Sequence, residues 1–257
     1  MIANASSLES FGPLLKILVG KEEKVFHVNE AFLTERSKFF KKAMNSKWLE
    51  GQTKVVRLVE DDPDIFEIYI NLVYTGRLPI FDNATTMRNL PKMIEDGYSQ
   101  LSHLYVLAEK LQDVKAKNST VDAIIDIFHS HIYLGQEYRK KFKPPIPSLE
   151  SIRIMYNGTP SSQEYLCHGR EILVALVAWY AAPAYFEKKY NHKDFPAEFL
   201  GDLSLELLSV RDPEVGLSDT DICHELCLCK FKEDYHEKLE DDDSGSPRAP
   251  RKSGKCA

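Results

Sequence analysis

"VFHVNEAFLTERSKFFKKAM", residues 25–44, changes its repeat partway along. The first residues alternate, with Phe26 and Val28 on one side and Val25 and His27 on the other, as a strand requires. Phe32, Leu33, Phe39, Phe40, Ala43 and Met44 then recur at helical spacing and leave Lys38, Lys41 and Lys42 for solvent. The stretch predicts a strand that feeds two short helices, at about 29–35 and 36–46. It is architecture without an evident reactive group.

On its N-terminal side, "LLKILVG" (14–20) predicts a buried strand, with Gly20 and Lys21 opening a turn that makes it a hairpin partner of the next strand. On its C-terminal side, "KVVRLVEDD" (54–62) alternates again, predicting a third strand with Val56 and Leu58 on one face. Asp62, Pro63 and Asp64 then start a helix, combining an early proline with acids at the positive end of the dipole. Ile65, Phe66, Ile68, Tyr69, Leu72 and Val73 form its apolar face, and Gly76 is placed to cap it. Residues 77–98 read as a loop, with prolines, Asn83, Asn89 and Gly97. Two amphipathic helices follow, one lined by Leu101, Leu104, Tyr105, Ala108 and Leu111, the other by Val121, Ile124, Ile125, Phe128 and Ile132.

Composition changes at about 140–163, where "KKFKPPIPS" and "NGTPSSQ" predict a linker or excursion. A strongly apolar helix is expected over 166–181, and "DFPAEFLGDLSLELLSVRD" (194–212) holds one or two short helices. From Glu240 onward the chain is poor in hydrophobes and rich in charge, the composition of a disordered tail. The expected divisions are a loose N-terminus at 1–10, a folded domain at 11–132, a linker or excursion at 133–163, a helical region at 164–239 and a tail at 240–257. No internal repeat is visible.

The chain's 257 residues suit one or two domains, and 43% hydrophobic with 28% charged residues is ordinary for a protein with a real core. A net charge of -6 gives no general reason to expect nucleic acid or an anionic membrane as partner. The apolar run from Ile172 to Phe186 is 15 residues long and broken by Pro183. A membrane span needs about 20 residues, so a buried helix is expected there. No secretory leader is visible, and five cysteines bunched toward the C-terminus do not make a disulfide framework. An intracellular setting, nucleus or cytoplasm, is the expectation.

The order strand, strand, two helices, strand, helix ending in "YTG", loop and two amphipathic helices resembles a BTB/POZ domain. The words "FHVNEAFLTERSKFF" and "VVRLVEDDPDIFEIYINLVYTGRLP" are similar to the family's entry and to its third strand and helix. "LYVLAEKLQDVKAKNSTVDAI" is close to the last helix pair of its filamentous-fungal branch. The resemblance covers residues 10–132 and implies an α+β fold, a small mixed sheet packed by a helical cluster, followed by an α-helical extension. It further implies a non-enzymatic interaction module acting through homo- or hetero-association, with a homodimer or other self-association of the domain expected. Phe32, Leu33, Phe39 and Phe40 are the interface candidates.

The alternatives are a substrate adaptor for a cullin-type ubiquitin ligase or a BTB-containing transcriptional regulator. For the adaptor, the family's apolar–any–Glu triplet falls on Trp48, Leu49 and Glu50, an aromatic anchor beside an orienting charge. No substrate-reading domain and no zinc-finger spacing are recognisable, and nucleic acid is not an expected partner. Cys223, Cys227 and Cys229 with His224 or His236 offer thiolate and imidazole ligands of the kind zinc takes. Their spacing is not that of a zinc knuckle, so packing is preferred and no cofactor is expected. The common catalytic signatures, G-x-S-x-G, the P-loop, G-x-G-x-x-G and H-E-x-x-H, are absent from the sequence. His27 reads as a structural histidine, and the adjacency of Cys167 and His168 does not by itself pair a nucleophile with a base.

Overall fold

The computed structural model describes residues 12–78, 90–133, 146–161, 167–181, 185–186, 190–210 and 235–238. The expected loose N-terminus, the tail and Cys223, Cys227 and Cys229 lie outside these residues, as do residues 79–89 of the expected loop at 77–98.

Strands β1 (Leu14–Val19), β2 (Lys24–Asn29) and β3 (Val55–Leu58) form one sheet in the order β2-β1-β3. β1 pairs antiparallel with β2, Leu14 opposite Asn29, and parallel with β3, Lys16 opposite Val55, so the sheet is mixed. Leu15, Ile17, Leu18 and Val19 of the central strand are all buried, which explains its nearly continuous apolar reading. Val56 and Leu58 are buried and Arg57 is exposed, following the alternation read for β3.

Between β2 and β3 run α1 (Glu30–Arg36), α2 (Lys38–Ala43) and α3 (Leu49–Thr53). The Asn29 side chain caps α1 by accepting from Ala31 N–H at 2.9 Å. Ser37 ends α1 and starts α2. Its hydroxyl accepts from Phe40 N–H at 3.1 Å and donates to the Leu111 carbonyl at 2.5 Å. One small residue thus bends the chain and ties both short helices to a turn far along the sequence.

Helix α4 (Pro63–Thr75) starts and stops as its residues require. Asp62 accepts from Asp64 N–H at 2.7 Å, Pro63 fills the first turn, and Gly76 closes the helix at φ +66°, a left-handed conformation costly for other residues. α5 (Leu90–Lys110) and α6 (Val114–Tyr133) carry the core. Their expected faces are buried throughout, apart from Ile132, whose side chain lies outside the described set. α5 begins earlier than its sequence suggests. Pro91 falls in the first turn, where its missing N–H costs nothing, and buried Ile94 and Tyr98 anchor a segment that Gly97 makes look loop-like.

The interval read as linker contains a further helix, α7 (Leu149–Gly158), capped by Ser148 and burying Ile152, Met155 and Tyr156. Its proline- and glycine-rich flanks disguised an amphipathic ten-residue segment. α8 (His168–Tyr180) is buried over most of its surface, and α9 (Ala197–Val210) packs on it. A Cβ at Gly169 would stand 2.8 Å from the Tyr105 ring, so α8 approaches α5 at a distance only glycine permits there. The extension and the first domain therefore share one core.

Candidate protein-interaction surface

Among the described residues of the first domain, three strands and six helices leave two apolar areas uncovered. One surrounds Asn29. Leu14 is its partner across the sheet, and the Tyr74 hydroxyl accepts from its N–H at 3.1 Å. Phe32, one helical turn on, sits edge-to-face with Tyr74 at 5.1 Å between ring centroids. Phe32 is 43% exposed, Tyr74 47% and Leu14 57%, so aromatic and aliphatic surface remains in water.

The second area is a groove of about 520 Å³ between α2, α3 and β3. Phe39, Ala43, Trp48, Leu49 and Val55 supply apolar lining, while Lys42, Glu50 and Arg57 bring charge to it. Trp48 is 61% exposed and Leu49 67%. They hold these positions because Trp48 is the N-cap residue of α3 and Leu49 its first residue, rather than parts of an open loop. The helix ends at Lys54 in a left-handed conformation, with φ 56°, which turns the chain directly into β3. β3 is a sheet edge, so its outer backbone borders the groove.

Trp48, Leu49, Glu50 and Phe39 are thus brought together, and Phe32 belongs to the other area. Leu33 and Phe40 are corrected as interface candidates: both are 0% exposed. The Ser37 and Phe39 bonds to Leu111 hold α2 against the α5–α6 turn, so Phe40 faces the core, and Leu33 is covered likewise. Leu14 and Tyr74 were missed. Leu14 read as one more residue of a buried strand, and the one available signal for Tyr74 was that it falls outside the apolar repeat of α4.

The described residues considered for chemistry are not assembled into a reactive site. His27 is exposed on β2. Burial pushes the Cys167 thiol upward, and its sulfur meets the Tyr105 hydroxyl at 3.9 Å. Neighbouring His168 instead places Nδ1 2.8 Å from Glu171 Oε2, so the two do not form a nucleophile–base pair. His236, the described member of the candidate metal set, has Nε2 2.9 Å from Asp122 Oδ1. Among the described residues no group of three or more His, Cys, Asp or Glu is arranged to hold a metal, and no helix is long and apolar enough to cross a membrane.

A small mixed sheet closed by helices leaves apolar surface of the kind a protein partner can cover. Residues 15–96 match the family model for the BTB/POZ domain, and this chain carries a BTB/POZ domain. That family mediates protein–protein interaction. The matched segment runs from β1 into α5, whose remaining turns continue the same core. No curated protein matches the chain.

Proposed function

We propose that the protein is a non-enzymatic partner-binding protein whose BTB/POZ domain associates with a second copy of itself through the Asn29 face. The exposed Phe32–Tyr74 pair beside Leu14 is the observation that carries this reading. Aromatic side chains bury large areas on association, and a patch of them kept in water favours a partner. Lasting homodimers commonly bury more than about 2,000 Å² in total, so the contact extends beyond these residues onto neighbouring parts of α1 and β1. Sedimentation velocity of the full chain at about 50 µM, near which micromolar affinities register, is expected to give twice the monomer mass. A monomer at that concentration removes the homodimer.

The groove favours a second reading, adaptor to a cullin-type ubiquitin ligase. Trp48 and Leu49 stand exposed beside Glu50, offering an apolar anchor and an orienting charge together. Co-purification with a cullin N-terminal domain tests it. Equal retention of the unmodified chain and the Trp48→Ala/Glu50→Ala variant counts against the groove.

A further inference from the structure

At residues 235–238 the polypeptide returns to the first domain and lies along the seam between α5 and α6. Glu237 is held by both its backbone and its side chain. The Asn118 carboxamide donates to the Glu237 carbonyl at 2.9 Å and accepts from the Glu237 N–H at 2.8 Å. Its carboxylate lies 2.5 Å from Lys117 Nζ, and the Tyr105 hydroxyl donates to it at 3.4 Å. The preceding His236 faces Asp122 at 2.9 Å.

The receiving residues stand on rigid helices at helical spacing. Asn118 and Asp122 are one turn apart on α6, with Lys117 beside them, and Tyr105 and Glu109 are one turn apart on α5. Lys117 is 4% exposed. A buried ammonium needs carboxylates around it. Glu109 supplies one at 2.8 Å and Glu237 the other. Burial opposes the charge, but the hydrogen bonds Lys117 donates to Glu109 and Glu237 outweigh it and hold its ammonium above the ordinary lysine range. The division of labour is that of a peptide receptor. An amide clamp on one residue's main chain sets register whatever the side chain, and a charged pocket beside it selects a carboxylate.

We infer that the α5–α6 seam, built from Asn118, Lys117, Tyr105 and Asp122, is a docking site for an extended peptide presenting a histidine followed by a glutamate. Residues 235–238 of the same chain are its occupant. The site lies apart from both the Asn29 face and the α2–β3 groove, so its standing does not depend on either.

The test uses the full chain carrying His236→Ala and Glu237→Ala, which vacates the seam, and a fluorescein-labelled peptide of residues 231–240 as probe. Anisotropy is expected to show saturable binding to the vacated chain and binding at least about tenfold weaker to the unmodified chain, whose site is filled. Adding Asn118→Ala to the vacated chain is expected to weaken binding by about tenfold or more. Equal binding to vacated and unmodified chains, indifference to the Asn118 change, or no binding to the vacated chain overturns the proposal. Asn118→Asp, which keeps the acceptor and loses the donor, repeats the arm should Asn118→Ala misfold. Hydrogen exchange on the unmodified chain gives an independent reading. The Glu237 amide is expected to exchange slowly, and exchange at the unfolded-chain rate also overturns the site.

Discussion

Two buried charges organise the two parts of this molecule, and they reach over different lengths of chain. In the first domain Asp113, fully buried, caps α6 through Ala116 N–H at 2.9 Å. It also takes Arg36 Nε at 3.2 Å and the Tyr69 hydroxyl at 3.0 Å, residues 77 and 44 positions away. In the extension Arg170 donates to Thr159 Oγ1 and the Tyr156 carbonyl, both at 2.8 Å, and to Glu198 at 2.5 Å. It also lies over the Tyr156 ring at 4.3 Å, and its hydrogen-bond partners are 11 to 28 positions away. The first domain is thus knitted by contacts that close long loops, and the extension by contacts among successive helices. Removing one knot should loosen everything around the sheet; removing the other should loosen α7–α9 first.

The largest effect is expected from Asp113→Ala. Arg36 loses its carboxylate and the Tyr69 hydroxyl its acceptor, so denaturant unfolding should show a single transition weakened by about 3–5 kcal/mol. An unchanged midpoint would break the comparison at its stronger end. Arg170→Met should cost less, about 2–3 kcal/mol, because Glu198 regains water while the Tyr156 and Thr159 carbonyls lose their donor. Hydrogen exchange should then rise in α7–α9 before it rises in β1–β3. A simultaneous rise would show the extension to be as globally tied as the domain.

Alkaline pH acts on both parts alike. Burial, reinforced by Asp113, raises Tyr69 well above the usual tyrosine range, and burial reinforced by Asp202 does the same for Tyr156. Both phenols stay neutral in the fold. Their contribution is complete below about pH 10, the unfolded tyrosine value, and is lost as pH rises beyond it. The denaturation midpoint should be flat in tyrosine terms up to that pH and fall above it; a rise there would contradict the burial of these hydroxyls. The smallest effect on stability belongs to Phe32→Ser. Half-exposed, it loses its edge-to-face contact with Tyr74, about 1 kcal/mol, while self-association should be lost.

Periodicity made β1–β3, α4 and most of α5 and α6 legible, because their apolar faces meet one continuous core. It failed where local chemistry pointed the other way, as at Pro91 and Gly97 in α5 and in the flanks of α7. Leu33 and Phe40 show a different limit. Helical spacing identifies apolar positions, but on helices of six or seven residues it does not tell which are covered by a turn 74 positions away, as Ser37 and Leu111 are. Trp48, Leu49 and Glu50 were readable as a surface triplet, whereas the groove they share with β3 depends on strand order. Glu237 was beyond reach, since its clamp joins residues 119 positions apart.

Association through the Asn29 face is tested most directly by hydrogen exchange of the full chain at low and high protein concentration. Slower exchange in α1 and at the start of β1 in the concentrated sample, with the α2–β3 groove unchanged and the difference erased by Phe32→Ser, is the predicted result. Exchange independent of concentration throughout, or protection confined to α7–α9, would contradict it.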